Sequence, residues 1–337
     1  MTNQPILECV PNFSEGQNEA TITAINNAIQ QVAGQKLLHV DASPAANRTV
    51  FTFAGSPDAV IDAAFEAIKI AAQKIDMRLQ QGAHPRLGAT DVCPLVPLYN
   101  MSMGEAVHYA NLLAARVGAA LDIPVFLYEY AAHHDYRRSL PQVRKGQYEG
   151  LCQKMGFSEW QPDYGPGLKQ WQSIQKTGAT IIGARNILVA FNVSLSTKDE
   201  RIATAIAKRM RTSSGGLLPQ LRAMGWYMDD FGCAQVSMNL LDYRVTSPTA
   251  VWDLCCSLAM EYGVQAIGCE LVGLIPEACL LQAGQRLANT SADEVLDEEK
   301  KKQLVAAGID YLKLDKVKPF DPQDKILEYN LAAKGII

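Results

Sequence analysis

The chain has 337 residues, of which 48% are hydrophobic and 20% are charged, and its formal net charge is −4. This length suits two domains of roughly 150 residues each, and the composition is that of a globular protein. A dedicated nucleic-acid-binding protein would carry a basic surplus. The apolar stretches are shorter than the ~18 residues of a membrane span, and the N-terminus lacks a signal-peptide pattern. We therefore expect a cytoplasmic protein that binds neither nucleic acid nor membranes.

The eight cysteines form no Cys-x-x-Cys pair and show none of the spacings typical of a metal knuckle. Most of them lie inside apolar runs, where a free cysteine behaves as a small hydrophobic residue. We predict buried free thiols in a reducing compartment and no metal site.

The first half of the chain alternates between strand and helix patterns, because apolar residues recur at spacings of three and four between continuous β-rich runs. The predicted strands cover 7–13, 37–41, 49–54 and 91–97, and the predicted helices cover 22–32 and 57–75. Pro94 and Pro97 fall in the last strand. That strand is therefore predicted to lie at a sheet edge or to be interrupted by a bulge.

The second half repeats this order. Its predicted strands cover 187–193, 221–228, 233–240 and 270–275, and its predicted helices cover 202–210 and 248–262. Equivalent elements of the two halves are separated by about 180 residues, a constant offset that indicates an internal duplication. The shared order predicts an α/β (α+β) protein with two ferredoxin-like βαββαβ subdomains.

Additional material lies between the two halves: a predicted helix over 107–121, a strand over 124–128 and an irregular stretch. Residues 161–178 are rich in Gly, Pro and Gln, which favours a domain boundary. We predict domains at 1–178 and 179–337, with a ligand cleft between them. The segment that begins at Ser291 and includes the charged run 297–302 is predicted to be a solvated helix.

The most informative motif is the segment from Gly82 to Pro94, GAHPRLGATDVCP. His84 precedes a proline, which disfavours helical backbone at the histidine, so we place it in a loop that can present the imidazole to a cleft. A neutral-range pKa makes histidine a proton-transfer group. The alternative is a His-Pro turn that only ends the preceding helix.

Other stretches offer candidate side chains, each of which also has a structural interpretation. Asp41 ends a strand before a small-residue loop, either as a catalytic carboxylate or as the acceptor of an Asx turn. Arg48 offers a guanidinium for a carboxylate or for an acidic neighbour. Asn12 and Ser14 precede a helix and either contact a ligand or cap that helix. The sequence His133-His134-Asp135 resembles a metal site, but adjacent residues rarely chelate one ion, so an exposed turn is favoured.

In combination, these motifs resemble the formiminotransferase family over nearly the whole chain. The matching stretches are Glu8-Cys-Val-Pro-Asn-Phe-Ser-Glu-Gly16, Asn47-Arg-Thr-Val-Phe-Thr-Phe53, His84-Pro-Arg86, Asp91-Val-Cys-Pro94, Leu140-Pro with Arg144, Gly146, Tyr148 and Glu149, Pro162-Asp-Tyr-Gly-Pro166, Gly178 to Arg185, Phe191-Asn192, Ala234-Gln-Val-Ser237 and Leu271 to Pro276. Several long motifs in one order are more specific than any single motif.

The resemblance implies transfer of the formimino group from N-formimino-L-glutamate to nitrogen-5 of tetrahydrofolate, with release of glutamate, in histidine degradation. It implies two α/β subdomains, tetrahydrofolate as co-substrate, no metal and a homodimer. In vertebrates this transferase is fused to a cyclodeaminase. Because this chain ends soon after Phe320-Asp-Pro, we expect that activity to be absent and a cyclodeaminase, where present, to be a separate protein.

The resemblance also assigns candidate residues. His84 matches the catalytic histidine and Asp41 the carboxylate that assists it. Gly165 and Pro166 match the start of the folate-contacting loop, in a stretch that is longer at 167–176 than in the vertebrate form. Asn12 and Arg86 are further folate-binding candidates, and the candidates for the substrate carboxylates are Arg48, Arg144 and Arg185.

The chemistry that these residues would perform needs one proton shuttle and charge complementarity. His84 would take a proton from the attacking amine and return it to the departing glutamate nitrogen, while Asp41 would orient the ring. Arginine suits the carboxylates of both substrates. Two rival interpretations stay open: formyl transfer from N-formyl-glutamate in the same cleft, and a folate-binding protein without catalysis.

Overall fold

The computed structural model describes residues 4–289 and 296–337, which form two compact units. The first unit comprises Met1–Arg185 with Lys334–Ile337, and the second comprises Asn186–Ala333. The division falls after Arg185, later than the predicted boundary at 178, because the strand Thr180–Ala184 pairs within the sheet of the first unit.

The elements of the first unit follow the predicted order, with additions after the fourth predicted strand. Its strands are β1 (Ile6–Cys9), β2 (Asn12–Phe13), β3 (Gln35–Ser43), β4 (Arg48–Gly55), β5 (Thr90–Tyr99), β6 (Val125–Glu129) and β7 (Thr180–Ala184). Its helices are α1 (Glu19–Gln30), α2 (Pro57–Lys74), α3 (Met103–Leu121), α4 (Leu140–Arg144), α5 (Gln147–Lys154) and α6 (Trp171–Ile174).

The sheet of the first unit has the strand order β3-β4-β1/β2-β5, followed by β7 and β6. The first four positions pair antiparallel, which is the ferredoxin-like arrangement that the element order predicts. Strands β7 and β6 extend this sheet in parallel beyond β5. The single predicted strand 7–13 is divided into β1 and β2, which both lie between β4 and β5.

Strand β5 is an interior strand, so the prediction of an edge position was wrong and its alternative, a bulge, is confirmed. The pairing of β5 with β1 and β2 shifts register at Ile6/Leu7 and at Asn12/Phe13. Pro94 lies opposite the break between β1 and β2, where its carbonyl accepts a hydrogen bond from Val10 N–H at 3.1 Å. The ladder is already interrupted there, so the missing N–H of a proline costs little.

The second unit repeats the βαββαβ order. Its strands are β8 (Val189–Leu195), β9 (Leu221–Met228), β10 (Cys233–Leu240) and β11 (Ala266–Val272), and its helices are α7 (Glu200–Met210), α8 (Pro248–Glu261), α9 (Glu277–Ala288), α10 (Glu298–Tyr311), α11 (Pro322–Lys325) and α12 (Leu327–Ala333). The strand order β11-β8-β10-β9 is antiparallel throughout. It is the order β5-β1/β2-β4-β3 of the first unit, which confirms the predicted duplication of the fold.

The two units have separate hydrophobic cores. In the first, alternate residues of β1–β5, such as Cys9, Phe51 and Phe53, pack with α1, α2 and α3. A further cluster covers the other face of β5, β6 and β7 with α4, α5 and α6. In the second unit, residues of β8 and β10 pack with α7, α8 and α9. All eight cysteines are free, as predicted, and six of them are buried.

The C-terminal helices pack more closely than the sequence indicates. A Cβ atom at Gly284 of α9 would lie 2.0 Å from the carbonyl oxygen of Leu304 in α10. Leu304 and Val305 are buried, so α10 has an apolar face and the prediction of a solvated helix is only partly right. The predicted start of that segment, Ser291 to Val295, lies outside the described residues.

Candidate active site

His84 lies in the loop that joins α2 to β5. The imidazole is half-buried, and neither neighbour of His84 is helical, as expected for a residue before proline. The conformation of a loop depends on its contacts, so the hydrogen bonds on either side of His84 decide how precisely the ring is held.

Asn47 holds the beginning of this loop. Its side-chain amide donates to the Gln81 carbonyl at 2.6 Å and accepts from Gly16 N–H at 2.9 Å, while its own carbonyl accepts from the Gln80 amide at 3.2 Å. Asn47 has a φ of +46°, a backbone conformation that asparagine tolerates better than most residues. One side chain thus connects the β3–β4 turn, the segment before α1 and the His84 loop.

Arg86 holds the loop on the other side of His84. Its guanidinium donates two hydrogen bonds to Glu149, at 2.6 and 2.8 Å, and two to Gln80, at 2.7 and 3.1 Å. A longer bond of 3.3 Å reaches Gln147. All five N–H donors of arginine are therefore engaged by the protein. Arg86 thus connects the loop to the first turn of α5.

Asp91 and Ser14 secure the end of the loop where β5 begins. The Asp91 carboxylate, 1% exposed, accepts from Leu87 N–H at 3.0 Å and from Nε and Nη2 of Arg144. The Ser14 hydroxyl donates to the Gly88 carbonyl at 2.7 Å. A buried carboxylate needs such a bidentate partner, so Arg144 is occupied by an internal ion pair.

The surroundings of His84 favour its neutral form. Burial lowers its pKa well below 6.5, and the positive charges of Arg48 and Arg144 lower it further, against the opposing effect of a hydrogen bond with the Pro85 backbone. A neutral imidazole at neutral pH has a free lone pair and can accept a proton. The guanidiniums of Arg48 and Arg144 are thus charged neighbours of the ring, and the assistance of Asp41 stays a prediction.

Asn12, Asp41 and Arg48 share the face of the first sheet that points away from α1 and α2. Paired residues point to the same side of a sheet. Asn12 and Asp41 both pair with Val50, and Arg48 is two residues from Val50 along β4. We call this the polar sheet face. Asp41, 8% exposed, lies 3.7 Å from Nε2 of His39, measured from its Oδ2.

Gly165 marks a close approach of two backbone segments. Its φ is +82°, and a Cβ atom there would lie 2.3 Å from the Ile123 carbonyl oxygen. A Cβ at Gly118 of α3 would in turn lie 2.5 Å from Gly165 N. The glycine is therefore required by packing at the end of α3, while Gly165 itself stays exposed and Pro166 half-buried.

Comparison with known proteins places these features in one family. The formiminotransferase domain, N-terminal subdomain, matches residues 6–185, and the formiminotransferase domain matches residues 190–332. The chain belongs to the formiminotransferase family.

Similar proteins in this family include both short and fused forms. The glutamate formimidoyltransferase of Streptococcus pyogenes serotype M1 is 41% identical over 83% of this chain and 92% of its own length. The formimidoyltransferase-cyclodeaminase of Rattus norvegicus is 42% identical over 98% of this chain. This chain spans 60% of the length of that relative, so the match is confined to part of the fused protein.

The structure brings some of the predicted site residues together. His84 is influenced by both Arg48 and Arg144, and Arg48 shares the polar sheet face with Asp41 and Asn12. Arg185 follows β7, where its N–H donates to the Leu95 carbonyl at 3.0 Å. The folate-binding roles of Asn12, Arg86, Gly165 and Pro166 stay predictions.

The dismissed motif has ordinary contacts. His133 Nδ1 lies 3.3 Å from an oxygen of Asp163, and His134 stacks on Tyr136 with ring centroids 5.2 Å apart. No group of three or more His, Cys, Asp or Glu in the described residues is arranged to hold a metal ion. None of the helices in the same part of the chain has the length and apolar character needed to cross a bilayer.

Sequence reasoning missed the residues that hold the His84 loop. Asn47, Asp91 and Glu149 were identified only as parts of motifs, although the isolated Asn-Arg pair between two strands is a signal for a turn with positive φ. It also missed a polar cluster in the second unit. There the Glu270 carboxylate accepts from the Asn192 amide at 3.0 Å and from the Gln235 amide at 3.4 Å.

Proposed function

We propose that this chain transfers the formimino group of N-formimino-L-glutamate to nitrogen-5 of tetrahydrofolate and releases glutamate. The observation that carries the proposal is a neutral His84 in a loop held on both sides, within the electrostatic influence of Arg48 and Arg144. The similarity to glutamate formimidoyltransferases over 83% of the chain supports the same substrates. Tetrahydrofolate is the co-substrate in this proposal.

His84 moves one proton during the proposed reaction. Nitrogen-5 attacks the amidine carbon and forms the new C–N bond, and His84 accepts the proton that this nitrogen loses. The tetrahedral intermediate then expels the glutamate nitrogen, and the imidazolium donates the proton to it, which breaks the old C–N bond. A lowered pKa suits the first step, because the ring enters it as the base, and makes the imidazolium a stronger acid in the second.

The remaining groups position the substrates and the ring. Arg48 is the arginine that this proposal assigns to a substrate carboxylate, because its positive charge acts on His84 and it lies on the polar sheet face. Asp41 would act on the polar sheet face. There its negative charge would offset the positive charge of Arg48 and stabilise the imidazolium that forms between the two proton transfers. Holding two substrates side by side supplies much of the remaining acceleration.

The experiment is a steady-state assay of the purified chain with tetrahydrofolate and either N-formimino- or N-formyl-L-glutamate. We expect turnover with the formimino donor, because the named relatives transfer that group. His84→Ala should leave tetrahydrofolate binding intact and lower kcat by about two to four orders of magnitude. The matched control is His108→Ala on α3, remote in sequence from the loop, which should keep wild-type turnover.

Three outcomes would contradict the proposal. Near-wild-type turnover of His84→Ala would remove the imidazole from the mechanism. Turnover with the formyl donor alone would favour the formyl-transfer alternative. Binding of tetrahydrofolate without transfer from either donor would favour a non-catalytic folate-binding protein. The homodimer is a further part of this proposal, and a sedimentation experiment on the same preparation tests it.

A further inference from the structure

A short segment between α6 and β7, residues 175–179, supports both ends of the loop that joins α2 to β5. Near the start of the loop, Met77 N–H donates to the Lys176 carbonyl at 2.8 Å. At the end of the loop, Ala89 N–H donates to the Thr177 carbonyl at 2.7 Å. We call residues 175–179 the base segment, because its backbone holds the two ends of the loop together.

The contact between the base segment and the end of the loop leaves no room for side chains. A Cβ atom at Gly178 would lie 2.5 Å from the Leu87 carbonyl oxygen, and one at Gly88 would overlap the Ala179 carbonyl oxygen. The two glycines also form an isolated antiparallel bridge. Because packed backbones transmit displacements, a shift of the base segment also shifts the residues that follow His84.

Tyr148, the second residue of α5, contacts both the loop and the base segment. Its N–H donates to the Arg86 carbonyl at 2.9 Å, and its hydroxyl donates to the Gln175 carbonyl at 2.6 Å. Its ring lies against Gly178, where a Cβ atom would be 3.2 Å from Cδ2 of the ring. One residue thus joins α5 to the loop two residues after His84 and to the beginning of the base segment.

The surroundings of Tyr148 keep its hydroxyl protonated. Burial raises the pKa of Tyr148 above its ordinary value of 10.0, and the negative charges of Asp76 and Glu149 raise it further, against the opposing charges of Arg78 and Arg86. A tyrosine with a raised pKa remains a hydrogen-bond donor throughout the neutral range. The bond to the base segment is therefore present at every pH at which the enzyme would be assayed.

The backbone at the beginning of α5 is arranged to bring these groups to the loop. Gly146 has a φ of +90° and Gln147 a φ of +53°, and the second value is unfavourable for a residue with a side chain. The three residues 147–149 then all contact Arg86. Backbone strain of this kind persists only where surrounding contacts maintain it, and it is concentrated at functional sites.

We propose that Tyr148 is a positioning residue for His84. Its hydroxyl fixes the base segment, and the base segment fixes both ends of the loop that presents the imidazole. The inference rests on the proposed function, because it is proton transfer by His84 that gives the position of the ring its importance. A displacement of about 1 Å in a reacting group can cost about a hundredfold in rate.

The first measurement compares Tyr148→Phe with wild type in the steady-state assay with tetrahydrofolate and N-formimino-L-glutamate. The variant keeps the ring and the backbone N–H and lacks only the bond to the Gln175 carbonyl. We expect kcat to fall about tenfold, while the KM for N-formimino-L-glutamate changes by less than about twofold. This split is expected because the proton shuttle is displaced and the groups that bind the donor are not.

The second measurement is the pKa of the His84 imidazole, obtained by NMR titration with the signal assigned through its loss in His84→Ala. In Tyr148→Phe this pKa should rise toward 6.5, because a displaced ring is less buried and farther from the charges of Arg48 and Arg144. The titration needs no turnover. It therefore tests the positioning of the ring even if the wild-type chain transfers no formimino group, a result that would refute the proposed function alone.

The matched control is Tyr136→Phe. The Tyr136 hydroxyl donates to the Glu159 carbonyl at 2.6 Å, which is the same kind of bond at the same length, outside the loop and the base segment. Both variants lose one hydrogen bond, so their melting temperatures should fall to a similar degree. Only Tyr148→Phe should change kcat and the pKa of His84.

The inference is overturned by any of three results. The first is a pKa of His84 in Tyr148→Phe that equals the wild-type value. The second is an unchanged kcat in Tyr148→Phe when the wild-type chain is active. The third is an equal effect of Tyr136→Phe on kcat and on the pKa of His84, which would make the loss a general consequence of lower stability.

Discussion

At the scale of single residues, the pKa of His84 is the property on which the proposed chemistry depends. Burial and two guanidiniums favour the neutral ring. Because the folded-state pKa is lower than that of the unfolded chain, the associated stability is complete above about pH 6.5 and is lost as the pH falls toward the folded-state pKa. The same groups that prepare a base thus make the fold more sensitive to acid.

Removing the charge of Arg48 should raise the pKa of His84. In wild type, we expect kcat/KM to fall on the acidic side through an apparent pKa below 6.5, because only the neutral ring accepts a proton. In Arg48→Gln this limb should move to higher pH, since one source of repulsion for the imidazolium is gone. The pH dependence of kcat/KM measures the shift even if the variant binds glutamate more weakly.

The control for this prediction is Arg116→Gln, which removes an exposed arginine paired with Asp62. Its acidic limb should coincide with that of wild type. An unchanged limb in Arg48→Gln would show that Arg48 does not control the protonation of His84.

At the scale of elements, Gly165 and Gly118 allow the chain to pass directly over α3. Gly165 combines a positive φ with a backbone contact that no side chain could accommodate. The loop after Gly165 carries the predicted folate contacts. The position of that loop therefore depends on the close approach of Gly165 to α3.

Gly165→Ala should therefore lower the free energy of unfolding by about 1–3 kcal/mol or more, from backbone strain and the clash with Ile123. Chemical denaturation measures the loss. Gly167→Ala is the control, because a Cβ there would meet its nearest neighbour, the Gln161 side chain, at an ordinary 3.5 Å, and little change is expected. Equal stability of the two variants would mean that the crossing is not tight.

The elements themselves followed from the sequence. Strands β9 and β10 have the bounds that their patterns predict, and the remaining predicted strands overlap observed ones. The sequence did not indicate α9 or the interior position of β5. Pro94 and Pro97 are unfavourable in an interior strand, and only the break in the neighbouring strand at Val10 and Pro11 makes Pro94 acceptable.

At the scale of the whole molecule, each unit has its own sheet and its own core. We expect a fragment of residues 186–333 to fold alone, since all four strands of its sheet and the helices that cover them are present. Circular dichroism should give a mixed helix and strand spectrum and one cooperative thermal transition.

The same fragment should have no transferase activity, because His84 belongs to the other unit. A fragment without a cooperative transition would contradict the independence of the second core. Transfer by the fragment would contradict the assignment of the proton shuttle to His84.

The sequence by itself determined the duplicated βαββαβ order and the loop position of His84, because periodicity and the restriction imposed by Pro85 act between near neighbours. It could not determine the partners of the arginines. Nothing in the sequence around Arg86 or Arg144 indicates an ion pair, and only the folded chain brings Glu149 and Asp91 to them.

The tertiary structure likewise decided the protonation of His84. The helix α2 lies between Arg48 and the histidine, and the strands β5 and β6 with the helix α3 lie between the histidine and Arg144, so no local pattern relates the three. Burial and charge depend on distance in space, and these contacts exist only once the sheet has formed and the loop is held between Asn47 and Arg86.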